Sequence, residues 1–162
     1  MAEAELQPLD PNSWFESLGR LRSTARGPRS KIENRLRQSF YLTNLAPPPF
    51  SALAECVLEE AEFEALLKHA AFESAAIALL GRVLSFEIAS TWPGPEVSAR
   101  VWVEDICGEA RVASDCLATA LVQAWVELLL QLRQRPPELP SPALPKARRR
   151  SRSGPPRTPI LH

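Results

Sequence analysis

Apolar residues near the start of the chain recur at helical spacing. Trp14, Leu18 and Leu21 are three or four residues apart, as on one face of an α-helix. Asp10-Pro11 precedes them, and an Asp N-cap followed by a first-turn proline is a typical helix start. The pattern therefore predicts a first helix that begins near residue 10 and ends by Gly27-Pro28.

A second apolar stripe, formed by Ile32, Leu36 and Phe40, follows shortly afterwards. It is preceded by the segment from Ser30 to Glu33, which has the form of a capping box. The triple proline at residues 47–49 then favours an extended, non-helical chain. We therefore expect a second helix from about residue 30 to the middle forties.

The segment from Ser51 to Thr91 has no proline and only one glycine, Gly81. Its many Ala, Leu and Glu residues favour helix, but about forty residues is long for one globular helix. The pattern predicts two helices, at residues 51–69 and 73–91, with a bend between them. The second, ESAAIALLGRVLSFEIAS, is apolar almost all round, which is typical of the buried centre of a bundle.

A Pro-Gly-Pro break at residues 93–95 can open a further helix, and Ser114 or Asp115 can cap a last helix that runs to about Arg135. The pattern contains no convincing strand or hairpin. We therefore expect an all-α fold, a bundle of five or six helices around a central apolar helix, between residues 10 and 135. Residues 1–9 are expected to form a flexible N-terminus.

The last part of the chain, residues 136–162, differs sharply in composition. It holds eight of the 16 prolines and too little apolar surface to offset the entropy of ordering, which predicts a disordered Pro/Arg-rich tail. The tail also contains a basic cluster that is typical of a nuclear import signal or a phosphate-binding patch. The cluster consists of Lys146, Arg148, Arg149, Arg150 and Arg152.

A second basic strip lies at residues 20–37 and opposes an acidic run at residues 55–64. The strip could contact this acidic run within the fold, or it could face phosphate. Together with the tail, the strip supports one functional hypothesis, that of a nuclear adaptor or a nucleic-acid-associated scaffold that binds nucleic acid or an import receptor.

The residues that carry chemistry are few. The three cysteines, Cys56, Cys107 and Cys116, are an odd number without close pairing, which favours reduced thiols in an intracellular protein. The two histidines are His69 and His162, and the sequence has no zinc pattern, phosphate loop or dinucleotide fingerprint. We therefore expect no enzyme activity, no cofactor and no metal. With no signal peptide or membrane span identified, we also expect a soluble protein without a transmembrane segment.

Two short motifs resemble those of the Bcl-2-type apoptosis regulators. Gly81-Arg82-Val83-Leu84-Ser85-Phe86 is similar to their first homology region, and Trp125-Val126-Glu127-Leu128 is similar to the second. Gln123-Ala124 replaces the usual Gly-Gly before that tryptophan. A narrower resemblance is to the adenovirus early-region small T antigens. It is carried by Ser13-Trp14-Phe15, by the segment EFEALLK at residues 62–68 and by a basic, proline-containing tail.

This resemblance implies a viral Bcl-2-like inhibitor of host apoptosis, located in the host cytoplasm, at the mitochondrial or nuclear-envelope periphery, or in the nucleus. Its partners would be proapoptotic proteins of the Bak and Bax type. Their amphipathic third-homology helix would enter a hydrophobic groove between the helix at residues 51–69 and the Gly81 helix. In that groove Gly81 would permit close helix approach, and Arg82 would pair with an acidic group of the partner. The groove residues implied by the resemblance are Phe63, Leu67, Gly81, Arg82, Val83, Phe86 and Trp125.

Overall fold

The structure is a computed structural model that describes residues 7–24, 31–90, 93–104 and 108–134. This part of the chain forms five α-helices and one antiparallel sheet of three strands. A short 3₁₀ helix, Phe50–Ala52, follows the triple proline. The elements are α1 (Pro11–Ser23), α2 (Ile32–Asn44), α3 (Glu60–Lys68), α4 (Phe72–Leu79), β1 (Leu84–Ser90), β2 (Val97–Val103), β3 (Glu109–Ser114) and α5 (Leu117–Gln134).

The predicted all-α bundle is wrong, because residues 84–114 contain the three strands rather than helices. β1 reads LSFEIAS, in which apolar and polar residues alternate, and a period of two places Leu84, Phe86 and Ile88 on one face of a strand. β2 reads VSARVWV, and its β-branched and aromatic residues suit a half-buried pleated surface. The helix expected at residues 73–91 therefore ends at Leu79, and the helix expected after residue 95 is β2.

The first and last helices are confirmed where the sequence predicted them. The Asp10 carboxylate accepts hydrogen bonds from the backbone N–H groups of Asn12 and Ser13, both at 3.1 Å, and α1 begins at Pro11. The last helix, α5, runs from Leu117 to Gln134, and the expected final residue, Arg135, lies outside the described residues. α2 begins at Ile32 with Lys31 as its N-cap. Ser30 of the expected capping box and Gly27-Pro28 lie outside the described residues.

The predicted bend between residues 69 and 73 is also confirmed. α3 ends at Lys68 and α4 begins at Phe72, and Ala70 between them has a φ of 54°. The expected bounds were too wide, however, since residues 53–59 form neither helix nor strand. α3 instead begins after Glu59, whose backbone N–H donates to the carboxylate of Glu62 at 3.1 Å.

The central apolar helix of the fold is α5 and not the segment at residues 73–91. Ten of its 18 residues are buried, because it packs against α1, α2 and α4 on one side and against β2 and β3 on the other. Among them Trp125 is fully buried. No helix among the described residues combines the length and the apolar character that a bilayer crossing requires.

An aromatic cluster joins the N-terminal helices to the segment after the triple proline. The rings of Trp14 and Phe50 stack at 5.6 Å, and Phe15 meets both edge-on at 5.0 Å. The Trp14 indole N–H, buried in this cluster, donates to the backbone carbonyl of Leu42 at 2.9 Å. This bond satisfies the one polar atom of the side chain and ties α1 to α2.

The turn from α4 into β1 depends on Gly81. Its φ is +66°, in the left-handed region, and a Cβ atom at this position would overlap the backbone carbonyl oxygen of Glu55. Glycine is therefore required here both by backbone conformation and by the close approach of another segment.

We expect Gly81→Ala to lower the free energy of unfolding by about 1–3 kcal/mol, because it adds backbone strain and a steric overlap. Urea unfolding followed by circular dichroism measures the change. Gly19→Ala is the matched control: Gly19 lies inside α1, where a Cβ atom would meet nothing within 4 Å. There alanine should stabilise by about 0.5–1 kcal/mol. Equal effects of the two substitutions would contradict the role assigned to Gly81.

Candidate functional site

The face of the sheet that points toward α5 is covered over β2 and β3, but β1 is covered only at Leu84, which is 6% exposed. Ala99 and Val101 of β2 are fully buried on this face, because α5 packs across β2 and β3. Phe86 and Ile88 of β1 stand opposite Val101 and Ala99 in the antiparallel register, so their side chains lie on the same face. Nevertheless Phe86 is 37% exposed and Ile88 40% exposed. Part of the apolar face of the sheet is therefore left open at β1.

The backbone edge of β1 is open as well. The strand order is β1-β2-β3, and in the part of the chain that the structure describes β1 pairs with β2 alone. The pairing runs over seven residues without a bulge, and β1 contains no proline and no lysine. Proteins commonly use such features to protect an edge strand from pairing. β1 is thus both an apolar surface and an unprotected edge.

The opposite face of the sheet carries a network of charges. The Arg100 guanidinium lies 4.9 Å from the centre of the Trp102 ring and donates to the Glu109 carboxylate at 2.7 Å. This hydrogen bond lowers the pKa of Glu109. Arg100 also approaches Glu87 of β1 at 3.5 Å. Arg100, Glu109 and Glu87 thus pair within the sheet, whereas Arg111 on the same face is exposed. The α5 side of β1 carries the exposed apolar side chains of the sheet instead.

Four of the seven groove residues predicted from the resemblance are held inside the fold. Phe63 and Trp125 are fully buried and Leu67 is 3% exposed, and the Phe63 ring stacks on Phe40 at 4.6 Å. Gly81 packs against the backbone of Glu55. Three of these four residues are buried and Gly81 is half-buried. The Gly81 helix that was expected to border the groove is a turn followed by β1.

The other three predicted groove residues, Arg82, Val83 and Phe86, are exposed. They lie within five positions of one another and lead into β1, where Ile88 extends the same exposed segment. Ile88 was not predicted, because the alternation of residues 84–90 was not recognised as a strand. We call the exposed residues Arg82, Val83, Phe86 and Ile88 the β1 patch.

Three of the five described basic residues in the strip at residues 20–37 contact other parts of the chain. The Arg37 guanidinium donates to Glu64 at 2.7 Å and to Glu33 at 3.0 Å. Because Glu64 belongs to the acidic run at residues 55–64, the strip contacts this run within the fold, which was one of the two possibilities given by the charge pattern. Arg22 approaches Glu127 of α5 at 3.6 Å. These pairs reduce the positive charge that the strip offers to phosphate.

Arg35 is a buried residue and does not form part of the basic surface. Its side chain is only 5% exposed, it donates to the backbone carbonyl of Thr24, and burial lowers its pKa. Arg20 and Lys31 of the strip are exposed, and the other basic candidates lie outside the described residues. They are Arg26, Arg29 and the tail residues Lys146, Arg148, Arg149, Arg150 and Arg152.

Among the described residues no group of three or more His, Cys, Asp or Glu side chains is placed to hold a metal ion. Cys56 and Cys116 are free thiols, and burial raises the pKa of Cys56, which disfavours the nucleophilic thiolate. His69 is exposed at the C-terminus of α3. Cys107 and His162 lie outside the described residues.

A hollow of about 320 Å³ opens between α1 and α2. Its lining includes Leu21 and Thr24 of the first segment and Tyr41 and Leu42 of the second, and it contains no carboxylate, histidine or cysteine. The hydroxyl groups of Ser17, Thr24 and Tyr41 in this lining therefore have no base among the lining residues that would activate them.

No protein-family model, no curated protein and no solved structure matches this chain.

We expect the contact between Arg37 and Glu64 to make stability depend on pH. The hydrogen bond from Arg37 lowers the pKa of Glu64 from its ordinary value of 4.5, so its contribution is present above pH 4.5 and is lost as the pH falls further. Glu64→Gln should destabilise by about 0.5 kcal/mol at pH 7, a small effect because the pair is partly solvated. The difference between variant and wild type should therefore be smaller at pH 3 than at pH 7.

Urea unfolding at pH 7 and pH 3 measures this difference. Glu16→Gln serves as the control, since Glu16 lies exposed on α1 and forms no ion pair with any described residue. A Glu64→Gln effect of equal size at both pH values would show that the charge of Glu64 is not responsible.

Proposed function

We propose that this protein is a non-catalytic, protein-binding inhibitor of host apoptosis that binds proapoptotic proteins of the Bak and Bax type. The proposed contact surface is the β1 patch rather than a groove between helices. The observation that carries the proposal is the exposure of Phe86 and Ile88, 37% and 40%, on the face of the sheet where Ala99, Val101 and Val103 of β2 are buried. Apolar side chains that extend a core face to the surface are typical of a protein interaction site.

The geometry suits an amphipathic helix as the bound element. α5 already lies across β2 and β3 on this face. β1 extends the same face by one strand, and neighbouring strands are about 4.8 Å apart. A partner helix laid beside α5 would place its apolar residues, at positions i, i+3 or i+4 and i+7, on Phe86 and Ile88. It would pack against the flank of α5 at the same time.

The motif resemblance supports the same segment of the chain. Its first motif, residues 81–86, contains three of the four residues of the β1 patch, including Arg82 and Phe86. Arg82 is exposed beside the apolar residues and can pair with an acidic side chain of an incoming helix. Because that pair would remain partly solvated, we expect it to contribute less than the apolar contacts.

The test is a fluorescence-anisotropy titration of the full chain against labelled third-homology peptides from Bak- and Bax-like proteins. We expect the double variant Phe86→Thr/Ile88→Thr to raise the Kd about ten- to hundredfold, because it removes two apolar contacts. Threonine keeps the β-branched character that favours a strand, so the sheet should persist. Circular dichroism checks that it does.

Val57→Thr is the matched control, because Val57 is 44% exposed in the segment before α3. Its binding should equal that of the wild type. Absence of peptide binding by the folded wild-type chain would refute the proposed function. Peptide binding that both variants leave unchanged would instead remove the β1 patch as the contact surface.

Salt dependence separates this function from that of a nucleic-acid-associated scaffold. Binding through an apolar surface should change little between low and high salt, whereas binding through phosphate contacts weakens steeply. Tight, salt-sensitive binding to nucleic acid without binding to the helical peptides would favour the scaffold.

A further inference from the structure

We propose that a second copy of this chain pairs with the free backbone edge of β1, in antiparallel orientation, to form one six-stranded sheet. The two edges of the sheet differ in a way that points to β1. The edge strand β3 carries an exposed charge at Arg111 that forms no ion pair with any described residue, and such a charge discourages strand pairing. β1 carries a single charged residue, Glu87, and Arg100 already approaches that carboxylate at 3.5 Å.

Two antiparallel copies of β1 are complementary to each other when the two-fold axis that relates them passes beside Phe86. In this register Phe86 stands opposite Phe86 of the second copy, and Leu84 stands opposite Ile88. Apolar side chains thus meet apolar side chains on the α5 side of the sheet. On the other side Ser85 stands opposite Glu87, so no two like charges face each other across the pair. Such cross-strand pairs are the unit of sheet stabilisation.

Other registers are less favourable for the same strand. An axis beside Glu87 would place two Glu87 carboxylates directly opposite each other, which destabilises a strand pair. An axis beside Ile88 would set Phe86 opposite Ser90 and leave the largest apolar side chain without an apolar counterpart. The occupant that fits the edge is therefore a second copy in the Phe86 register.

Pairing through the backbone edge leaves the α5 side of both β1 strands open. Two helices, α5 and its counterpart, would then be about four strand spacings apart, or about 19 Å. A third helix placed midway would lie about 10 Å from each, the usual distance between packed helices. Phe86 and Ile88 from both copies would form the floor of the gap between the two α5 helices. That a partner helix binds in this gap rests on the proposed function above.

The experiment is sedimentation velocity of the full chain from about 1 to 200 μM, with two charged variants at the proposed axis. Because the pairing involves a short strand, we expect a reversible equilibrium between the 17.9 kDa chain and a species of twice that mass. Phe86→Lys and Phe86→Glu should each weaken self-association at least tenfold, since like charges would oppose each other. An equimolar mixture of the two variants should restore the dimer.

Ile77→Lys is the matched control, because Ile77 is 38% exposed but lies on α4, and it should dimerise like the wild type. Circular dichroism checks that all variants are folded. A wild-type chain that stays monomeric up to 200 μM would overturn the proposal. So would dimers that the two Phe86 variants do not weaken, or a mixture that does not restore association. Sedimentation measures self-association without any peptide. Its result therefore tests the dimer separately from the proposed function.

Discussion

The packing of one helix across two strands determines the rest of this structure. α5 is buried against α1, α2 and α4 on one side and against β2 and β3 on the other, so every layer of the fold meets at this helix. The burial of Trp125 and its neighbours supplies a large part of the apolar surface removed from water. Because α5 does not extend its packing over β1, the same arrangement that builds the core also leaves Phe86 and Ile88 exposed.

Local signals predicted the helices better than the sheet. The start of α1 followed from Asp10-Pro11, the break between α3 and α4 from the length of the segment, and α5 from its apolar run and the prolines after it. The strands were missed because LSFEIAS follows a stretch rich in alanine and leucine that favours helix. In addition, Gly81 was interpreted as a glycine at a helix crossing, whereas its φ of +66° makes it the turn that separates α4 from β1.

The candidate site was predictable only in part, for a physical reason. Arg82, Val83 and Phe86 were named from a short motif, and they are exposed. Phe63, Leu67 and Trp125 were named from the same resemblance, but a large apolar residue in a helix is more often core than surface, and all three are buried. Ile88 could have been found from the alternation of residues 84–90. Its exposure could not, because that depends on where α5 ends its packing across the sheet.

The order of elements along the chain has a consequence for how the molecule folds. β1, β2, β3 and α5 follow one another directly, and each strand pairs with its neighbour in sequence. The contacts of this C-terminal half therefore span short loops, which cost little entropy to close. α1 must instead reach α5 across about one hundred residues. The sheet and α5 can thus assemble as a cooperative unit onto which α1 and α2 dock, and hydrogen exchange would detect this as stronger amide protection in β2 and α5 than in α1.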